Sequence, residues 1–332
     1  MEKISKLHGA GGISTAKLID EVFIGAYSNS FLEGLSDSAV VPGAERIAVT
    51  TDSFVVRPLF FPGGDIGRLA VCGTVNDLLM NGAKPEYITA GYILEEGLDI
   101  ADLKRIAGSM AKTAEEAGVK IVTGDTKVIE PVDARQPGLI INTSGIGFVD
   151  DGTDISPSRI EEGDTVILSG NLGDHHAAIL GSRMSIKNHI ASDNAPLTEM
   201  VTGLMDNGID IHAMRDVTRG GLATILNELA VASGKHISIE ETAIPVSGEV
   251  AEFSRLLGLD PLNMGNEGKC VIILPQEESE IALNIIRNSK YGRNACRIGV
   301  VYEDATGVTL KTRIGGEKIV SPLYGEGLPR IC

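Results

Sequence analysis

The sequence predicts an α+β fold in two domains, and three observations carry that prediction. The chain has 332 residues, and at ~100–200 residues per domain that length suggests two domains. Each half mixes short β-branched runs with longer stretches that carry apolar residues at three-to-four spacing. Between the halves, DDGTDISPSRIEEGD (150–164) is polar and turn-rich and marks a boundary. The expected division is 1–150, 151–320 and an irregular tail, 321–332.

In the first half, RIAVTTDSFVV (46–56) is rich in β-branched residues and reads as a strand. Residues 66–82 repeat apolar positions at helical spacing and stop at Gly82, with Pro85 soon after. EYITAGYILEE (86–96) is a second strand. Residues 99–118 form a helix with an acidic first turn and a closing glycine. Strands at 120–128 and 138–149 complete this half. The second half opens with the strand TVILSG and the glycine turn NLGDHH. Helices are expected at 174–184, 197–207, 221–234, 248–257 and 276–289. HISIE, KCVIILP and two final strands complete the pattern.

Composition narrows the function. With 29 basic and 45 acidic residues the formal net charge is −16. That surface repels phosphate backbones, and no basic cluster opposes it, so nucleic acid is not an expected partner. The N-terminus has no apolar core of a secretory signal, and no stretch approaches the ~18 apolar residues of a membrane span. A cytoplasmic location is expected. Forty glycines, about 12% against a usual ~7%, call for an explanation in local structure.

Four aspartates stand at strand ends, glycine turns or positions with poor propensity for aspartate: Asp52 in TTDSF, Asp77 in VNDLLMNGA, Asp125 in TGDTKV and Asp216 in MRDVTRGG. Hard cations such as Mg²⁺ take carboxylate oxygens and bridge them to phosphates. Taken singly, each Asp also serves as an ordinary turn former. Glycine clusters at HGAGG, TGD, SGNLGD and RGG offer backbone N–H groups that can approach an anion, as well as simple tight turns. No P-loop or dinucleotide fingerprint is present, so any ATP site is of another type.

Lys127 lies two residues past Asp125, on the same face of its strand, within reach of a phosphate. Glu267 sits in the confined turn GNEGK and is a candidate general base, although Lys127 and Glu267, each taken alone, also read as exposed surface charges. His175 and His176 are adjacent and do not chelate one ion together. Cys72, Cys270 and Cys296 lie in apolar segments and read as buried, inert thiols. Cys332 differs: it follows Gly325, Gly327 and Pro329 in a patternless segment, where a thiolate is exposed and nucleophilic.

HGAGG, TTDSFVV, VNDLLMNGA, GDTKV, SGNLGDHH, RDVTRGGL, NEGK and LPRIC occur in the order seen in the HypE family of hydrogenase maturation proteins, which the chain resembles from about His8 to Cys332. The inner motifs are shared with aminoimidazole ribonucleotide synthetase, thiamine monophosphate kinase and selenophosphate synthetase; LPRIC singles out HypE. The resemblance implies two α+β domains, dimerised through N-terminal sheets that form a shared barrel. Residues 1–150 would then bind ATP and dimerise, and 321–332 would be a flexible carrier of the reactive cysteine. A HypF-type carbamoyltransferase would load Cys332 with a carbamoyl group. ATP with Mg²⁺ on Asp52, Asp77, Asp125 and Asp216 would drive its dehydration to a thiocyanate, and a HypC–HypD complex would receive the cyano group for the hydrogenase iron. Gly11 and Gly12 are expected at the nucleotide, with Glu267 as base and Lys127 on the oxygen side. Twelve tail residues extend ~40 Å, enough for Cys332 to be loaded outside and inserted into the ATP site. The competing expectations are a small-molecule kinase or selenophosphate synthetase-like enzyme that ignores the tail, and a non-catalytic adaptor that binds ATP and presents its tail to partner proteins.

Overall fold

The computed structural model describes residues 2–10, 12–32 and 38–322. Near the N-terminus, α1 (Gly12–Leu18) runs through a π-helical turn (Ile19–Ile24) into the short α2 (Gly25–Tyr27). Strand β1 (Ile47–Phe54) and the small hairpin β2 (Phe60–Phe61) and β3 (Gly64–Asp65) lead to α3 (Ile66–Met80). Then come β4 (Ala83–Glu95), α4 (Ile100–Ala117), β5 (Lys120–Ile129) and β6 (Leu139–Val149). The larger strands form a four-stranded sheet in the order β1-β6-β4-β5. β1 and β6, and β6 and β4, are antiparallel, while β4 and β5 are parallel. A parallel pair needs a crossover, and α4 supplies it.

Helix α3 starts where Asp65 accepts hydrogen bonds from the N–H groups of Gly67 and Arg68. Every residue of α3 is buried except Arg68 and Asp77. A helix buried nearly all round is a central packing element, and α3 lies against β1, β6, β4 and α4. Helix α4 instead buries one stripe, including Leu103, Ile106 and Met110, and closes at Gly118 in the left-handed region.

The second half contains β7 (Thr165–Leu168), α5 (Asp174–Arg183), α6 (Thr198–Asp206), β8 (Ala213–Asp216), α7 (Gly221–Ser233), β9 (His236–Glu240) and α8 (Gly248–Leu257). It ends with β10 (Cys270–Leu274), α9 (Ser279–Asn288), β11 (Cys296–Tyr302), β12 (Gly307–Lys311) and β13 (Glu317–Ile319). Its seven strands lie in the order β13-β12-β9-β11-β7-β10-β8. One core packs α7 on this sheet through residues such as Leu226, Ile237 and Val271. A larger core crosses between the halves, because Met200 and Leu204 of α6 and Leu283 and Ile286 of α9 join Leu69, Val75 and Ile106, and a smaller third cluster packs α5 on α8 through Leu180 and Phe253.

Nearly every predicted element is present. The N-terminal helical segment, the β2–β3 hairpin and β8 were not expected from the sequence, and three strands rather than two close the chain. β8 is only four residues long and begins after His212, so it shows too little periodicity to announce itself. Residues 276–289 split into a 3₁₀ turn and α9.

Candidate active site

A cleft of about 790 Å³ lies between the two halves. β1 and α3 form one wall; β8, the turn after it and the start of α7 form the other. Alternation along β1 turns Thr50, Asp52 and Phe54 toward α3. Thr50 Oγ1 donates to Asp77 Oδ2 at 2.8 Å. The helix comes this close because residue 73 is glycine: a Cβ there would sit 2.7 Å from the Phe54 ring and 3.6 Å from Asp52 Oδ2. Asp216 ends β8 opposite Cys270 of β10, and Glu267 occupies the turn that enters β10. Both reach the cleft from the same end of neighbouring strands.

Little positive charge accompanies these acids, and their proton affinities respond. Burial, then the charge of Asp77, raises Asp52. Burial raises Asp77 against the hydrogen bond from Thr50. Asp216 is pushed up to about 6, first by burial and then by Asp77. Glu267 is raised well above the carboxylate range by burial, followed by the charges of Asp193, Asp216 and Asp52, with Arg219 acting the other way. Such a cleft favours positive charge brought in by a ligand.

Arg219, Gly220 and Thr224 line the cleft where α7 begins. Gly220 and Gly221 have φ of +76° and +63°, and a Cβ on Gly221 would meet the Leu262 carbonyl oxygen at 2.5 Å. Only glycine fits this turn, which brings the start of a helix to the cleft, with the Gly221 N–H donating to the Thr218 carbonyl oxygen at 3.1 Å. Helix starts and arginine both suit a phosphate.

Three aspartates and Glu267 thus meet in one cleft, but Asp125 and Lys127 do not join them within a chain. β5 is the sheet edge opposite β1, with β6 and β4 between them, a separation on the order of 14 Å at ~4.8 Å per strand. Asp125 pairs with Lys127 at 2.8 Å, and both side chains are largely exposed. Asp125 lines a separate cavity with Phe23, Tyr27 and Tyr92. Gly12 begins α1 with φ of +76° and is also away from the cleft lining. Gly11 and Cys332 lie outside the described residues.

Among the described residues, no three His, Cys, Asp or Glu side chains are close enough to hold a bare metal ion. Mg²⁺ ordinarily takes one or two carboxylates together with water and phosphate oxygens. The hard-oxygen donors and the excess of acids over Arg215 and Arg219 therefore fit a metal that arrives with a phosphate ligand, not one caged in advance. Cys72 and Cys270 are fully buried, but Cys296 is only half-buried, which corrects the expectation for that residue. Burial pushes the Cys270 thiol up to about 12 and Cys296 to about 11, so neither is a ready nucleophile. His175 and His176 are both buried and lowered to about 4, mainly by burial.

Sequence reasoning missed the residues that assemble the cleft. Asn76 accepts from the Leu197 N–H at 2.9 Å and donates to the carbonyl oxygens of Ala195 and Glu267 at 3.0 and 3.4 Å. Asn266 accepts from the Gly173 N–H at 2.8 Å and donates to the carbonyl oxygens of Val217 and Met264. Both are buried amides beside a cleft-lining acid in the sequence. That adjacency, Asn76–Asp77 and Asn266–Glu267, was the available signal.

Comparison with known proteins agrees with this architecture. Residues 35–149 match the AIR synthase related protein N-terminal domain, and residues 161–311 match the corresponding C-terminal domain. Carbamoyl dehydratase HypE of Rhodobacter capsulatus is 44% identical over 337 residues, spanning 100% of this chain and 98% of the relative. A crystal structure of hydrogenase maturation protein HypE in complex with ATP superposes with a TM-score of 0.94 at 43% identity, covering 98% of this chain and 99% of that one. The HypE of a crystallised HypE–HypF complex gives a TM-score of 0.80 at 45% identity, with 92% and 99% covered. Identity at this level along the whole length, on the same fold, places the chain in the HypE carbamoyl dehydratase family of hydrogenase maturation proteins.

Proposed function

We propose that this chain dehydrates a carbamoyl group carried on its own Cys332, converting a thiocarboxamide to a thiocyanate at the expense of ATP. The observation that carries this reading is the cleft between the halves, where Asp52, Asp77, Asp216 and Glu267 converge beside Arg219 and the start of α7. The ATP complex of a relative with 43% identity supports a nucleotide there. On this reading Arg219 and backbone N–H groups at the start of α7 would take phosphate oxygens, while Asp52, Asp77 and Asp216 would hold Mg²⁺. The ion would neutralise charge on the phosphates and on the departing oxygen. Residues 1–150 and 151–320 each supply one wall, and 321–332 deliver the cysteine.

The amide oxygen of the carbamoyl group attacks the γ-phosphorus and ADP leaves. The carbon–oxygen bond then breaks, the oxygen departs on phosphate, both N–H protons are lost, and a C≡N bond remains. Glu267 accepts an N–H proton; a carboxylate of ordinary pKa is too weak a base for this, and burial, then the surrounding acids, raise it. Mg²⁺ arriving with the nucleotide would neutralise Asp52 and Asp216, two of the acids that hold the Glu267 proton, and so free its carboxylate to act as base.

Lys127 and Asp125 enter from a second copy of the chain. One face of the four-stranded sheet leaves Ile47 and Val49 more than half exposed, apolar surface that a matching sheet would cover in a shared barrel. A HypF-type carbamoyltransferase loads Cys332, as the HypE–HypF complex of a relative suggests. A HypC–HypD complex takes the cyano group. The free thiols among the described residues suit the reducing cytoplasm, and no helix there is long and apolar enough to cross a membrane.

Intact-mass spectrometry tests this directly. The chain is incubated with the carbamoyltransferase, carbamoyl phosphate and MgATP. A carbamoyl adduct on Cys332 that loses one water only with ATP is the expected result. An unmodified Cys332, with ATP consumed on a free compound, would sink the proposal in favour of a kinase-like activity.

A further inference from the structure

Behind the cleft, the turn that carries Glu267 rests on a buried ion pair. Asp193 Oδ2 and Lys269 Nζ are 3.1 Å apart, with side chains 3% and 9% exposed. The Asp193 carboxylate also accepts the backbone N–H of Glu267 at 3.1 Å and that of Gly268 at 3.4 Å. Lys269 Nζ donates in addition to the Gly268 carbonyl oxygen at 3.1 Å. The fit is close on both sides. A Cβ on Gly268 would lie 2.0 Å from the Asp193 carbonyl oxygen, and a Cβ on Gly170 would lie 2.9 Å from Lys269 Cε.

Such a pair is not explained by stability, because a buried ion pair is often no better than apolar residues of the same volume. Its placement suggests another use. Asp193 holds the N–H of Glu267 while Asn76 holds its carbonyl oxygen, so both peptide groups flanking the Glu267 Cα are fixed. With those fixed, the Cα–Cβ direction is fixed, and the carboxyl points into the cleft. Lys269 pairs with the Asp193 carboxylate and holds it in place without itself lining the cleft.

We infer that Asp193 and Lys269 form a positioning pair that aims the Glu267 carboxylate at its substrate, Asp193 directly and Lys269 through Asp193. This rests on the proposed role of Glu267 as base. Neither residue touches the reacting atoms, so their loss is felt in the chemical step and not in nucleotide binding.

The test uses the full chain, carbamoylated on Cys332, with single-turnover loss of water followed by mass spectrometry at varied MgATP. Asp193→Asn and Lys269→Met are expected to lower kcat by about 10- to 100-fold with KM for MgATP within about twofold, the pattern of a lost transition-state alignment. Either single change leaves a lone buried charge, so the double variant D193N/K269M is also made, which removes both charges and folds without that penalty. It is expected to melt no lower than the single variants and still to dehydrate slowly. A folded double variant with wild-type kcat would overturn the inference.

The link to Glu267 is read separately. Glu267→Gln alone is expected to slow dehydration, and adding Asp193→Asn to it should cost no more than about another twofold, because both act on one step. If Glu267→Gln is slow but the second change multiplies the loss in full, the positioning role falls while the base role stands. If Glu267→Gln dehydrates at wild-type rate, the base role falls and the inference with it.

Discussion

Asn76 and Glu267, 191 positions apart, are joined by a hydrogen bond of 3.4 Å from Asn76 Nδ2 to the Glu267 carbonyl oxygen. The same amide holds Ala195 and Leu197, so one side chain on the central helix α3 registers the second half of the molecule on the first. Asp77, the next residue, faces the cleft. The walls of the cleft are thus aligned by the neighbour of one of its acids.

Replacing Asn76 by Ala removes three hydrogen bonds and leaves the Leu197 N–H buried without a partner. At roughly 1–3 kcal/mol for an unsatisfied buried group, a loss of about 2–4 kcal/mol is expected by chemical denaturation. Dehydration should fall further than stability predicts, because the acids no longer face each other in register. A variant with wild-type stability and rate would show that the halves are aligned by apolar packing alone.

Asp216→Asn is expected to separate stability from activity. The Asp216 carboxyl is pushed up to about 6 in the folded protein, against an ordinary 3.8. A value raised by folding means that the protonated form favours the fold. That contribution is complete below about pH 3.8 and is lost as pH rises through about 6. Removing the charge should therefore raise stability at pH 8 by about 1–2 kcal/mol, a gain that shrinks as pH falls from 6 toward 4. Melting curves across pH check the sign. Dehydration should drop by about 100-fold or more, with weaker MgATP binding, if Asp216 holds the metal. An unstable variant at pH 8 would mean that Asp216 is paired in the free protein.

Local chemistry explains what the sequence disclosed. Asp52 inside a strand and Asp77 inside a helix are each locally unfavourable, and both line the cleft. Glycines at 220 and 221 pointed to a turn that no larger residue fits. The sheet order, in contrast, depends on pairings between distant strands, so nothing near Asp125 revealed that β5 lies at the far edge from β1. Asp193 was overlooked for the same reason. Its segment, ASDNAP, reads as an ordinary loop, and its partners Glu267 and Lys269 lie more than 70 residues away. A buried ion pair leaves no periodic trace in the chain.

Glu116 gives the clearest acid-side prediction. On α4, it accepts from Arg68 Nη1 of α3 at 2.8 Å, from Lys290 Nζ at 2.5 Å and from the Tyr291 hydroxyl. Burial acts to raise its value, but the hydrogen bonds from Lys290, Tyr291 and Arg68 outweigh it and leave the carboxyl at about 2. Its folded value lies below the ordinary 4.5, so the ionised form favours the fold. The stabilisation is present above about pH 4.5 and is lost as pH falls through about 2. Lys290 is well exposed, and solvent screening reduces the effect to about 1 kcal/mol. Glu116→Gln should therefore lower stability by about that amount at pH 7, with the two proteins converging as pH is lowered from 4.5 toward 2. Because this cluster ties α4 to the segment after α9 and none of its side chains lines the cleft, kcat at pH 7 should stay within about twofold. A pH-independent difference between the two melting curves would mean that packing, and not the carboxylate charge, joins the halves at this point.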